Sequence, residues 1–204
     1  MNVFTFPLRY LWLIDEGHRP LFLRNSLEGL ALAVLLSVPF WFSDANYFGE
    51  SGLLHRFGAF SGVLTGFYVA ALVAIASFAS TSATLDDPIE LGPILERNAA
   101  GVEPDPLTRR QYVCAMFGYL SFISLALSLI AILAVSVSTD IAPMLTAWLG
   151  AELIKWIGWV ALFLVNVVIA HMVVTTCHGL YYLIDRMYAQ KAILLDKDGN
   201  PVER

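Results

Sequence analysis

The chain has 204 residues, 58% of them hydrophobic and 14% charged, with a mean hydropathy of +0.68 and a net charge of −5. These values lie outside the range of water-soluble globular domains, and no polar stretch is long enough to bury a core of its own, so a separate soluble catalytic domain is not expected. The twelve basic residues form no stripe of the kind that binds nucleic acid.

Charged residues leave three gaps of equal length, 29 residues each, between Arg56 and Asp86, Arg110 and Asp140, and Lys155 and Asp185. A fourth gap, from Glu28 to Asp44, has only 15. A helix needs about 20 apolar residues to cross a bilayer core, so the long gaps span with turns to spare and the short one spans only if Glu28 sits at the membrane surface. Ten of the twelve Lys and Arg residues fall on one side of four spans, which predicts an all-α, four-helix transmembrane bundle with both termini and the central loop cytoplasmic. The expected location is the bacterial inner membrane, crossed by several passes.

Residues 1–24 form a cytosolic or interfacial segment. Its stretch VFTFPLRYLWLI, broken by Gly17 and Pro20, suits a short element lying in the inner headgroup region. The first span, 25–43, is expected to open on Asn25 as cap, with Glu28 as the reciprocal partner of a capping box, and to close on Trp41 and Phe42. An outer loop, 44–57, carries Tyr47 and Phe48 as part of an aromatic belt.

The second span, 58–82, repeats a small residue every fourth position: Gly58, Gly62, Gly66, Ala70 and Ala74. Such ladders let helix backbones approach closely in lipid. They serve packing either within one chain or between subunits of a homo-oligomer, and both readings stand. A cytosolic loop, 83–110, is expected to hold a short helix, 88–98, opened by Asp87, Pro88 and Glu90 and bent at Gly92-Pro93. Its charged residues Asp86, Asp87, Glu90, Arg97, Arg109 and Arg110 are the candidate docking surface for a cytosolic protein partner.

The third span, 111–138, is announced by a second capping box, Thr108 with Gln111, and carries Ser121, Ser124 and Ser128 on one face, suited to interhelical hydrogen bonds or to lining a pore. A short outer loop, 139–147, leads to the fourth span, 148–180, which Trp148 and Trp156 open. There Asn166 lies mid-membrane, and His171, Thr175 and His178 follow on one face at i, i+4 and i+7. Polar groups in hydrocarbon are costly unless paired, so these residues, with Glu28 at similar depth, are the candidate intramembrane cluster. They act as cross-bundle hydrogen-bonding groups or, through Glu28 and His171, as a proton or ion path. The tail is 181–204.

Cys114 and Cys177 both fall near inner-leaflet span ends, where a structural disulfide is not expected. No phosphate loop, Ser-His-Asp order or HExxH motif occurs, so no enzyme, metal site or cofactor is expected. The expected role is that of a non-enzymatic subunit in contact with membrane lipid, with a channel, pore-forming effector or small transporter as the alternative.

In architecture, about 200 residues with four spans and cytosolic termini, the chain resembles the membrane subunits of bacterial two-gene antiphage defence systems such as the Kiwa type. That resemblance implies an envelope sensor that works with a cytosolic, DNA-binding partner. It rests on no motif and carries over no residue role.

Overall fold

The computed structural model describes residues 6–15, 17, 19–43, 46–49, 51–77, 88–89, 94–96 and 106–183, without the side chains of 23–25 and 139–140. The chain is mostly helical. A 3-10 helix, Pro7–Trp12, leads into strand β1, Leu13–Ile14, and then α1, Leu21–Phe42. Next come α2, Leu53–Ser77, strand β2, Leu95–Glu96, α3, Arg109–Leu149, and α4, Ala151–Tyr181. Three helical stretches, Leu53–Ser77, Arg109–Ser138 and Ala151–Tyr181, are long and apolar enough to cross a membrane, whereas the apolar part of α1, Ser26–Phe42, is shorter.

α1 starts at Leu21, immediately after Pro20, whose fixed φ ends the preceding extended segment. Glu28 is therefore two turns inside the helix, and the capping box expected at Asn25 and Glu28 does not open it. Pro39 lies in the last turns of α1, where its missing N–H removes the i→i−4 bond to the Leu35 carbonyl, and the Ser43 hydroxyl donates to the Pro39 carbonyl at 2.6 Å. α2 begins at Leu53, so the expected outer loop 44–57 is helical from 53 onward.

α3 opens as the sequence predicts. The Thr108 hydroxyl accepts from the Gln111 N–H at 3.3 Å, and the Gln111 side-chain oxygen accepts from the Thr108 N–H at 3.0 Å. The helix then runs for 41 residues, about 61 Å at 1.5 Å per residue. Residues 139–147, expected as an outer loop, are thus helical, and Trp148 ends α3 rather than opening the next span. Pro143 does not break the helix. The break falls at Gly150, whose φ of 82° only glycine adopts without strain, and this single residue turns the chain back into α4.

The four long helices pack in the order α2, α3, α4, α1, with little contact between the sequential neighbours α1 and α2. α1 ends beside Trp159 and α2 begins beside Ala134, so the α3–α4 hairpin projects beyond both. Nearly every residue from 141 to 160 is exposed, Trp148 and Trp156 among them.

The opposite end is closed by a platform. Tyr10 of the 3-10 helix is fully buried against α3, stacked on Tyr119 with centroids 5.2 Å apart. β1 pairs antiparallel with β2, Leu13 opposite Glu96 and Ile14 opposite Leu95, and the Arg9 guanidinium grips the Glu96 carboxylate with two nitrogens. Pro88 bridges to Thr108 and Leu95 to Pro106. Hence 88–89 and 94–96 are extended, not the short helix expected over 88–98. The backbone partners come from the segment entering α3: the Ile89 N–H donates to the Leu107 carbonyl at 3.4 Å, and the Leu107 N–H donates to the Ile94 carbonyl at 2.9 Å. The N-terminal segment likewise buries Tyr10 and Leu13 in protein, leaving Phe6 and Trp12 on its outer face.

Candidate functional site

Asn166 on α4 has no exposed surface. A buried amide needs partners for both its oxygen and its nitrogen, and here it finds one on each side. The Tyr47 hydroxyl donates to Asn166 Oδ1 at 3.1 Å, and Asn166 Nδ2 donates to Ser37 Oγ at 2.9 Å. Ser37 in turn donates to the Ala33 carbonyl at 2.8 Å. This chain of bonds ties the α1–α2 loop, α4 and α1 together. Tyr47 is held at the right depth by Phe40 and Phe48, whose ring centroids lie 5.0 and 4.8 Å away, both edge-on. Burial pushes its phenol above the ordinary tyrosine range, which keeps it a donor.

The other members of the expected intramembrane cluster are arranged separately. His171 is buried between Phe22, at 4.9 Å, and Tyr119, at 5.7 Å, with its Nε2 3.5 Å from the Thr175 hydroxyl. Gly29 of α1 lies on its backbone: a Cβ there would sit 3.8 Å from the His171 Cα. His178 donates from Nδ1 to the Val174 carbonyl at 3.0 Å, leaving Nε2 3.8 Å from the Glu28 carboxylate. Glu28 and the fourth helix are therefore in contact, at a largely exposed position. Asn166, His171 with Thr175, and Glu28 with His178 form three local groups rather than one relay.

Between α2 and α3 the polar contacts are hydroxyls. Ser61 donates to the Ser124 carbonyl at 2.8 Å, Thr65 to the Ser61 carbonyl at 3.0 Å, and the Thr65 and Ser124 hydroxyls meet at 2.8 Å. Tyr68 reaches across to Thr176 on α4 at 2.8 Å. Because Thr176 already donates to the Met172 carbonyl, Tyr68 is the donor.

The small-residue ladder of α2 is divided. Gly58 is buried against α3, where an added Cβ would lie 2.4 Å from the Ala131 Cβ. Gly62 borders Ser128, and Gly66 has nothing within 4 Å of its added Cβ. Gly62, Gly66, Ala70 and Ala74 are all exposed, rotated away from the buried stripe of Leu54, Gly58, Ser61 and Tyr68.

Of the expected docking residues, Asp86, Asp87, Glu90 and Arg97 lie outside the described residues. Arg109 is buried and Arg110 half-buried, so Arg109 belongs to the packing of the platform instead of its surface. Among the described residues, no three His, Cys, Asp or Glu side chains converge as metal ligands.

Sequence reading missed Tyr47 as a partner of Asn166, Gly29 as the crossing point of α1 and α4, and the Arg9–Glu96 pair. Only Tyr47 carried a signal, as a tyrosine at a helix-loop boundary whose hydroxyl needs an acceptor once its ring is buried. Compared with known protein families, curated proteins and solved structures, the chain matches none.

Proposed function

We propose that this chain is a non-enzymatic, four-helix subunit of the bacterial inner membrane, with both termini cytoplasmic, that assembles with copies of itself and docks a cytosolic partner through its platform end. The observation that carries the reading is the outward half of the α2 ladder. Gly58 and the edge position Gly62 meet α3 within the chain, while Gly66, Ala70 and Ala74 leave a strip of small residues exposed among the described residues. In lipid such a strip brings another helix backbone close, and the gain comes from van der Waals contact. A role in sensing envelope state, in a two-gene antiphage system of the type the architecture resembles, is the biological setting we infer.

The channel alternative needs polar faces turned toward water. Ser61, Ser124, Asn166 and Thr175 are completely buried, and each has a hydrogen-bonding partner within the same chain, which favours a structural role for them. The test is Gly66→Leu, at a position where an added Cβ has nothing within 4 Å among the described residues. It is expected to turn the assembly into folded monomers by native mass measurement. Unchanged stoichiometry would overturn assembly through this strip.

A further inference from the structure

α1 ends at Phe42, and the first turns of α4 continue past it, so the junction leaves an open groove of about 660 Å³ between the two helices. Its chemistry is ordered along the α4 axis. Glu152 and Lys155 stand at the hairpin end, Trp156 and Trp159 follow, and Phe163 with neighbouring aliphatic residues forms the deep end. The spacing i, i+3, i+4, i+7 and i+11 keeps these five on one helix face. Trp41 at the end of α1 closes the opposite wall, its ring 5.8 Å from that of Trp159.

We propose that this groove is a binding site for a phospholipid with a primary ammonium headgroup, phosphatidylethanolamine. The assignment rests on the membrane reading above, but not on which face is outside. The sequence of charge, indole and hydrocarbon along about 18 Å of helix repeats the headgroup, glycerol and acyl order of a phospholipid. Trp41 and Trp156 are mostly exposed, so most of their ring surface is open to a ligand.

Charge selects the headgroup. Lys155 offers an ammonium to the phosphate, and Glu152, one turn away, offers a carboxylate to the headgroup amine. The site has no net charge and matches a zwitterion. An anionic phosphatidylglycerol would meet the Lys155 ammonium but bring only neutral glycerol hydroxyls to the Glu152 carboxylate, leaving that charge uncompensated. A quaternary phosphatidylcholine would bring no N–H for Glu152 to accept.

The test uses the full chain in detergent, titrated with phosphatidylethanolamine, phosphatidylcholine and phosphatidylglycerol of identical acyl chains, with bound lipid counted by native mass spectrometry. Phosphatidylethanolamine should be retained about three- to tenfold more strongly than either of the others, the range of one partly exposed charge-assisted contact. Glu152→Gln should abolish that preference, and Lys155→Gln should weaken retention of both phosphatidylethanolamine and phosphatidylglycerol. Trp148→Ala, on the exposed hairpin tip outside the groove, should change neither. Equal retention of the three lipids, or a preference that survives Glu152→Gln, would overturn the proposal. Release of the wild-type chain from membranes by alkaline carbonate would overturn the membrane reading itself, and the site with it.

Discussion

The α2–α3 and α1–α4 pairs each bring helix backbones together at a glycine, Gly58 against Ala131 in one and Gly29 against His171 in the other, yet different polar chemistry joins them. Across α2–α3 the bonds are short-range and redundant: Ser61, Thr65 and Ser124 are hydroxyls with backbone carbonyls within reach. Across α1–α4 one amide, Asn166, serves both neighbours. A hydroxyl that loses its partner in a helix falls back on a carbonyl of the preceding turn, whereas such a carbonyl can serve only the nitrogen of an amide and leaves its oxygen without a donor. The first pair therefore depends on steric fit at Gly58, and the second on one residue's hydrogen-bonding capacity.

Steric fit should give the largest effect. At Gly58 even a methyl group lies 2.4 Å from the Ala131 Cβ, a rigid atom, so the helices must separate. Gly58→Ala is expected to cost about 2–3 kcal/mol, the upper part of the range for overpacking a filled interior. The double variant with Ala131→Gly moves the methyl group from one helix to the other and should recover most of that loss. Thermal unfolding in detergent measures both. A fully destabilised double variant would show that the contact is not what sets the spacing of α2 and α3.

Hydrogen-bonding capacity comes next. Asn166→Leu keeps the volume roughly constant but removes both bonds, and while Ser37 keeps its Ala33 carbonyl, the buried Tyr47 hydroxyl is left with only the Leu162 carbonyl at 3.5 Å. About 2 kcal/mol is expected, set by the orphaned phenol. Ser61→Ala, the matching change in the other pair, should cost nearer ~0.6 kcal/mol. Equal losses at the two sites would erase the distinction between the pairs.

The same contrast explains what could be read from the sequence. Hydropathy and the three long charge gaps gave the three long apolar helices, and the Thr108 and Gln111 box gave the start of α3, because capping is decided within four residues. Asn166 was legible as a buried group needing partners. Helix ends away from caps were not: nothing in the hydropathy of residues 139–147 distinguishes a loop from a helix that continues past Pro143 until Gly150 turns it. Residues 88–98 carried a helix-start pattern, but Leu95–Glu96 pairs with Leu13–Ile14 from more than 80 residues away, a tertiary contact that local grammar does not encode. Gly29 looked like any glycine in an apolar run, since its use depends on where α4 crosses α1.

Tyr47 offers the finest test, because it separates loss of a bond from loss of a proton. Tyr47→Phe removes the hydroxyl and leaves Asn166 Oδ1 without its donor, for an expected cost of about 1 kcal/mol near neutral pH. In the unfolded chain the phenol ionises at about pH 10. In the folded chain burial holds its proton to higher pH, so above about pH 10 the folded state binds more protons than the unfolded state and stability falls as pH rises. The phenylalanine variant lacks that term. The stability gap between wild type and variant should therefore be constant below about pH 9 and shrink between about pH 10 and 11, as followed by denaturant unfolding at each pH. A gap that stays constant through that window would mean the phenol reaches water and ionises in the folded chain as it does in the unfolded one. The bond from Tyr47 would then be a surface contact, and the α1–α4 pair would rest on Gly29 and Ser37 alone.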